Sequence, residues 1–284
     1  MFYFLIVTDV NFFKRDQWTK LLKNLKITKP DSCNCKRPKD YIILIFAHVA
    51  FLAAICYTIV LWMVVFDKTY FFAYGVDHFR NYIQYIYDFL ICVIVKMLLA
   101  RYHSLSKKLE ILKYQSDSQH VLFSLRKLYF DVYTLKETVD IFNDIFTWPI
   151  TLLISDTTLQ LINYLDYIFM TNFRYPQEQI AKIITSDIAI ILVTFVPVIC
   201  LIALCDLVLK EAGKILRSSY QLRWNLPNLK SREKKELYAF SNFILENYPA
   251  FSAARFTHID RSTIPSILIT VTSFFIVLMQ FHSK

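Results

Sequence analysis

Glycine is almost missing from this chain, with two in 284 residues. Discontinuous, glycine-interrupted spans, which secondary transporters place at their binding sites, are therefore absent, and the two halves show no internal repeat. Charge is scarce as well. Charged residues make up 19%, where a soluble domain carries about 25%. The six histidines, His48, His78, His103, His120, His258 and His282, are scattered and form no HExxH, no His-box and no nucleophile–base pair. That argues against an enzyme embedded in a membrane. The six cysteines build no disulfide framework. Cys56, Cys92, Cys200 and Cys205 lie in apolar runs, where the thiol behaves as a small hydrophobe. Cys33 and Cys35 form a C-x-C with no second pair to complete a zinc site; palmitoylation beside a span is its remaining special reading. No metal or cofactor is expected.

Hydrophobic residues fill the space, at 56%, with 25 Phe and 18 Tyr and a positive mean hydropathy. The expected class is all-α, a multi-span transmembrane helical bundle with a cytoplasmic helical anchor region. A spanning helix needs about 20 largely apolar residues. "YIILIFAHVAFLAAICYTIVLWMVVF" (41–66) has no formal charge, and "IAIILVTFVPVICLIALC" (188–205) and "TIPSILITVTSFFIVLMQF" (263–281) are similarly apolar. Two weaker runs are 82–100, with Asp88 and Lys96, and 145–170, with Asp156 and Asp166. Five spans are expected. Asp88 and Lys96, eight apart on one helix, are too distant to pair and should meet neighbouring helices or reach outward. Asp156 is costly in lipid and should face the bundle interior.

Lys and Arg alternate across the connections: nine before the first span, then two, seven, two and ten. Cytoplasmic loops keep the excess, so residues 11–40 are expected inside and the C-terminus outside. This distribution also accounts for most of the +9 net charge without nucleic acid. The opening "MFYFLIVTDV" is apolar, too short to span and unlike a signal peptide; it reads as the last turns of a helix begun upstream. The expected organisation is 1–40 as that tail plus a basic cytoplasmic segment and 41–209 as the bundle, its fourth span taken as 183–209 and its cytoplasmic helical loop as 101–137. Anchor helices follow over 210–262, and the last span over 263–284.

Two loop segments carry helical stripes. Leu122, Leu125, Tyr129, Val132, Leu135 and Val139 step by threes and fours, as do Leu237, Phe240, Ile244 and Tyr248. Such helices either lie on the bilayer surface or pack as a cytoplasmic platform. On the closing helix, Ser273, Val277 and Gln280 fall on one face, with Phe281 beside Gln280. A polar stripe there either sits at headgroup level or faces a protein interior or water. In an assembly around an axis it would line a pore.

The ending "SFFIVLMQF" (273–281) resembles the T-Y-five hydrophobics-Q-F signature of the insect gustatory receptors, with Ser273 for the Thr, Phe274 for the Tyr, and Gln280-Phe281 matching outright. "FSAARFTHIDRSTIPSI" (251–267), "LRKLYFDVYTLKETVDIFNDIF" (125–146) and "RDQWTKLLKNL" (15–25) are similar to further stretches of that family, so the resemblance covers nearly the whole chain. It implies a seven-span chemoreceptor of the plasma membrane, here apparently without its first two spans. It also implies a ligand-gated, non-selective cation channel subunit in a homo- or hetero-tetramer with other such subunits. Gln280 and Phe281 would then sit at the gate, Val277 below them and Ser273 on the same lining.

The implied ligand is a small organic tastant, a sugar or an alkaloid, in a cavity within each subunit. Trp62, Tyr82, Tyr85, Tyr164 and Tyr167, with Asp88 nearby, are the residues expected to line it. The same aromatics also fit an ordinary interfacial belt. The alternatives are a truncated or non-conducting family member acting as a modulatory subunit, and a transporter. Besides lipid, no other partner is expected, nucleic acid included.

Overall fold

The computed structural model describes residues 14–27, 38–66, 69–113, 118–174, 176–225, 231–254 and 257–282. The opening segment 1–10 and the Cys33–Cys35 pair lie outside them. Seven helices and one small hairpin make up the described chain, as the all-α expectation requires. The helices are α1 (Arg15–Ile27), α2 (Pro38–Phe66), α3 (Thr69–Leu112), α4 (Ser118–Arg174), α5 (Gln177–Asn225), α6 (Ser231–Glu246) and α7 (Thr263–His282). Five of them, α2 to α5 and α7, are long and apolar enough to cross a membrane.

Helices this long follow from the near absence of breakers. At about 1.5 Å per residue the 57 residues of α4 extend roughly 85 Å, against a hydrocarbon core of about 30 Å. The amphipathic stripe over 122–139 and the apolar run over 145–170 are thus one uninterrupted helix, and α3 continues to Leu112, into the segment expected as a cytoplasmic helical loop from residue 101. Once nucleated, a helix propagates at low cost through any stretch without Pro or Gly. Pro149 and Pro197 are both accommodated inside helices. At α7, Pro265 stands in the first turn, where its missing N–H costs nothing. The Ser262 carbonyl accepts the first bond of that helix, from Ser266 N at 3.2 Å.

The described residues divide into two compact units. The first takes those within Met1–Ser32, Val93–Ile150 and Ala203–Asp260. Its core is aromatic: Phe142 packs on Phe146 with ring centroids 4.9 Å apart and meets Phe251 edge-on at 5.6 Å. The two stripes read from the sequence meet here, with Tyr129 against Phe240 at 4.9 Å and against Phe243 at 4.8 Å. Leu125, Val132, Leu135 and Val139 are buried, as are Leu237, Phe240 and Ile244.

Helix α1 joins the same core through Leu21 and Leu25, and Trp18 meets Phe146 at 5.4 Å. On its polar side Lys20 pairs with Glu137 at 2.7 Å, and Asn24 donates to the same carboxylate at 3.1 Å.

The hairpin was not foreseen. Ser252–Ala253 (β1) pairs antiparallel with Thr257–His258 (β2), and Ala254 at the turn takes a left-handed φ of 49°. Helix α4 holds it. Asn143 donates to the Ala250 carbonyl, and Thr147 donates to the Ser252 carbonyl at 3.0 Å. The Thr147 carbonyl also accepts from Ala254 N at 3.3 Å.

The second unit takes the described residues within Cys33–Cys92, Thr151–Ile202 and Arg261–Lys284. Its aromatics bridge the apolar helices. Phe51 stacks on Tyr85 at 3.8 Å, and Phe169 meets Phe275 of α7 edge-on at 6.3 Å.

Candidate functional site

A cavity of about 720 Å3 lies within the second unit, a volume suited to a small organic ligand. Four helices wall it, each through residues on one face. Helix α2 contributes Trp62, and α4 contributes Gln160, Tyr164 and Tyr167, at steps of four and three. Asp77, Arg80 and Asn81 come from α3 at the same kind of spacing, and α5 adds Asp187 and Ile190.

The wall is aromatic with embedded polar groups. Trp62 is buried, and its ring stands 5.9 Å from that of Tyr167 at a 58° tilt. Asp77 and Arg80 form an ion pair at 3.7 Å, both about half exposed. Asp187 is only 2% exposed, and its Oδ2 has no hydrogen-bond partner among the described residues. Asn81 Oδ1 and Gln160 Oε1 are likewise buried without a partner among the described residues, although the Gln160 amide donates to Asp156 at 2.7 Å. A buried acceptor without a donor costs free energy comparable to a lost hydrogen bond. Three such residues, one from each of three helices, line the cavity.

Of the residues expected around a ligand, Trp62, Tyr164 and Tyr167 line this cavity, whereas Tyr82, Tyr85 and Asp88 are not among its lining residues. Tyr82 and Tyr85 belong instead to an aromatic cluster with His48 and Phe51. Asp88 is buried at 3% exposure. Asp88 shares a face of α3 with Asp77 and Asn81 but lies seven positions beyond Asn81, about two turns further along the helix. Asp187 and Asn81 were not singled out from the sequence. An acidic residue at the edge of an apolar run was the available signal for Asp187, but the clearest apolar window begins at residue 188, one position later.

On α7, Ile267 and Val271 are buried, and Phe275 and Leu278 half-buried, at steps of four, four and three. Ser273, Val277 and Gln280 fall on the opposite side and are exposed, with Phe281 also exposed. The polar stripe thus lies away from the helix's packed face. Asp156 is half-buried and Lys96 exposed, consistent with an inward acid and an outward base.

No curated protein matches the sequence. The profile of a protein family described as 7tm Chemosensory receptor matches it over residues 4–284, nearly its whole length. With its long apolar helices, this chain is a multi-pass membrane protein and belongs to that chemosensory receptor family, a family of receptors and not of enzymes.

Proposed function

We propose that the chain is a gustatory-type chemoreceptor, a subunit of a ligand-gated, non-selective cation channel that responds to a small organic tastant. The observation that carries the reading is the cavity walled by Trp62, Tyr164 and Tyr167 among the apolar helices of a receptor-family chain. Small-molecule sites are concave, mostly apolar and fitted with a few polar groups, and this one has that make-up.

The conducting part is α7. Ser273, Val277, Gln280 and Phe281 are exposed in the single chain, on a helix whose other side is packed. Four subunits gathered around an axis, identical or mixed with sibling receptors, turn this face toward one another. Gln280 then meets water and its copies, and Val277 and Phe281 form an apolar constriction that closes by dewetting. The excess of Lys and Arg in alternate connections supports a cytoplasmic side for residues 11–40, 101–137 and 210–262 and an outside C-terminus. Helices α4 and α6, whose stripes pack against each other within the chain, form there the anchor region between subunits.

The test is electrical. Cells displaying the chain at their surface are challenged with sugars and alkaloids, and cation currents are recorded for the wild type and Gln280→Arg. A ring of positive charge should suppress cation current. An undiminished cation current in a surface-expressed Q280R channel would remove α7 from the pore.

A further inference from the structure

We infer that the cavity selects organic cations, with Asp187 as the counter-charge and the surrounding aromatics as a cage. The inference rests on the reading of this cavity as the ligand site and goes on to name the ligand's charge.

Charge bookkeeping on the wall points this way. Asp77 and Arg80 offset one another at 3.7 Å, and both are solvated. Among the described residues Asp187 is the remaining acid in the lining, and it is nearly fully buried. A carboxylate removed from water needs a positive partner, and among the described residues no hydrogen-bond donor reaches its Oδ2. The aromatic wall favours the same guest. Trp62, Tyr74, Tyr164 and Tyr167 line the cavity, and aromatic faces attract cations most strongly where water is excluded.

The hydrogen-bond inventory agrees. Asp187 Oδ2, Asn81 Oδ1 and Gln160 Oε1 are all acceptors without donors among the described residues. An ammonium carries three donors and no acceptor, so it satisfies such a wall while pairing its charge. A neutral hydroxyl brings one donor and leaves the carboxylate unpaired.

Tryptamine and tryptophol make the test. They share the indole and nearly the same size, and differ in carrying an ammonium or a hydroxyl. Each is titrated by calorimetry into the full chain in lipid nanodiscs, with empty nanodiscs as the blank, near neutral pH. Tryptamine should bind at least about tenfold more tightly than tryptophol. Asp187→Asn should remove that preference, and Asp187→Glu should keep it, which separates charge from fold. Trp62→Phe keeps a ring with a weaker pull on cations and should weaken both probes, tryptamine the more.

Equal affinity for the two probes, or a preference unchanged in D187N, overturns the inference. If the probes bind equally and W62F weakens both, the cavity is a site for neutral ligands and the ligand-site reading stands alone. If neither probe binds, both readings fall. Because binding is measured without current, a failure of the channel assignment leaves the outcome legible.

Discussion

The carboxamide of Asn143 accepts the backbone N–H of Ser252 at 3.3 Å and donates to the carbonyl of Ala250 at 2.7 Å, so it brackets Phe251 from both sides. These partners are 109 and 107 residues away along the chain. The bracket sets Phe251 against Phe142 and feeds the backbone into β1. Asn143→Ala leaves a backbone donor and an acceptor unmatched, a loss of about 1–3 kcal/mol. Its apparent melting temperature in detergent should fall by several degrees, while Asn143→Asp, which retains an acceptor for Ser252, should lose less.

Phe240 is 1% exposed and is met edge-on by Tyr129. Truncation to Ala removes a large buried ring and leaves a cavity, at about 3–5 kcal/mol. The expected result is a sharp drop in monodisperse protein recovered after heating. Phe240→Leu, which refills most of the volume, should recover much of it.

Gly213 lies inside α5, where a glycine costs about 1 kcal/mol relative to alanine. An added Cβ would meet the Tyr248 hydroxyl at 3.5 Å, an ordinary contact. Gly213→Ala should therefore stabilise the chain and raise the apparent melting temperature. A fall would mean that the hydroxyl's bond to the Leu209 carbonyl, 2.7 Å long, depends on that space.

The Lys20 ammonium is held above its ordinary pKa by its hydrogen bond to Glu137 and then by that carboxylate's charge. A raised lysine is stabilised fully below its ordinary value of 10.5, and the contribution is lost as pH rises through the raised one. At mildly alkaline pH less of it is free amine. Acylation of Lys20 by an amine-reactive ester should be slow, and Glu137→Gln should accelerate it relative to Lys23 as read by mass spectrometry.

Under the channel reading, Val277 contributes an apolar ring that expels water when the pore is closed. Val277→Ser should raise the current recorded without ligand, with surface abundance unchanged. A silent baseline in a surface-expressed variant would place the constriction elsewhere on α7.

The stripes were readable because each is a property of one helix: Leu125, Val132 and Leu135 repeat at the helical period, and that period needs no knowledge of a partner. The exposed Ser273–Val277–Gln280 face was readable for the same reason. The cavity was only half readable. Trp62, Tyr164 and Tyr167 stood out as large aromatics near span ends, but Asn81, Gln160 and Asp187 converge from three helices, and periodicity within one helix carries no information about the rotation of the next. The hairpin at 252–258 was hidden by its brevity. Two residues a side give no alternation to read, and its support comes from Asn143 and Thr147, more than a hundred positions earlier.

That separation has a consequence for synthesis. The first unit draws on three stretches of chain, and its bonds join Asn24 to Glu137 and Asn143 to Ser252. None of the hairpin's supports can engage until residues near 250 have left the ribosome. At about 5–20 residues per second the hundred residues after Asn143 take roughly 5–20 seconds to appear. For that interval the ring of Phe142 is without Phe251, and chaperones or a premature stop codon before residue 250 find the unit open.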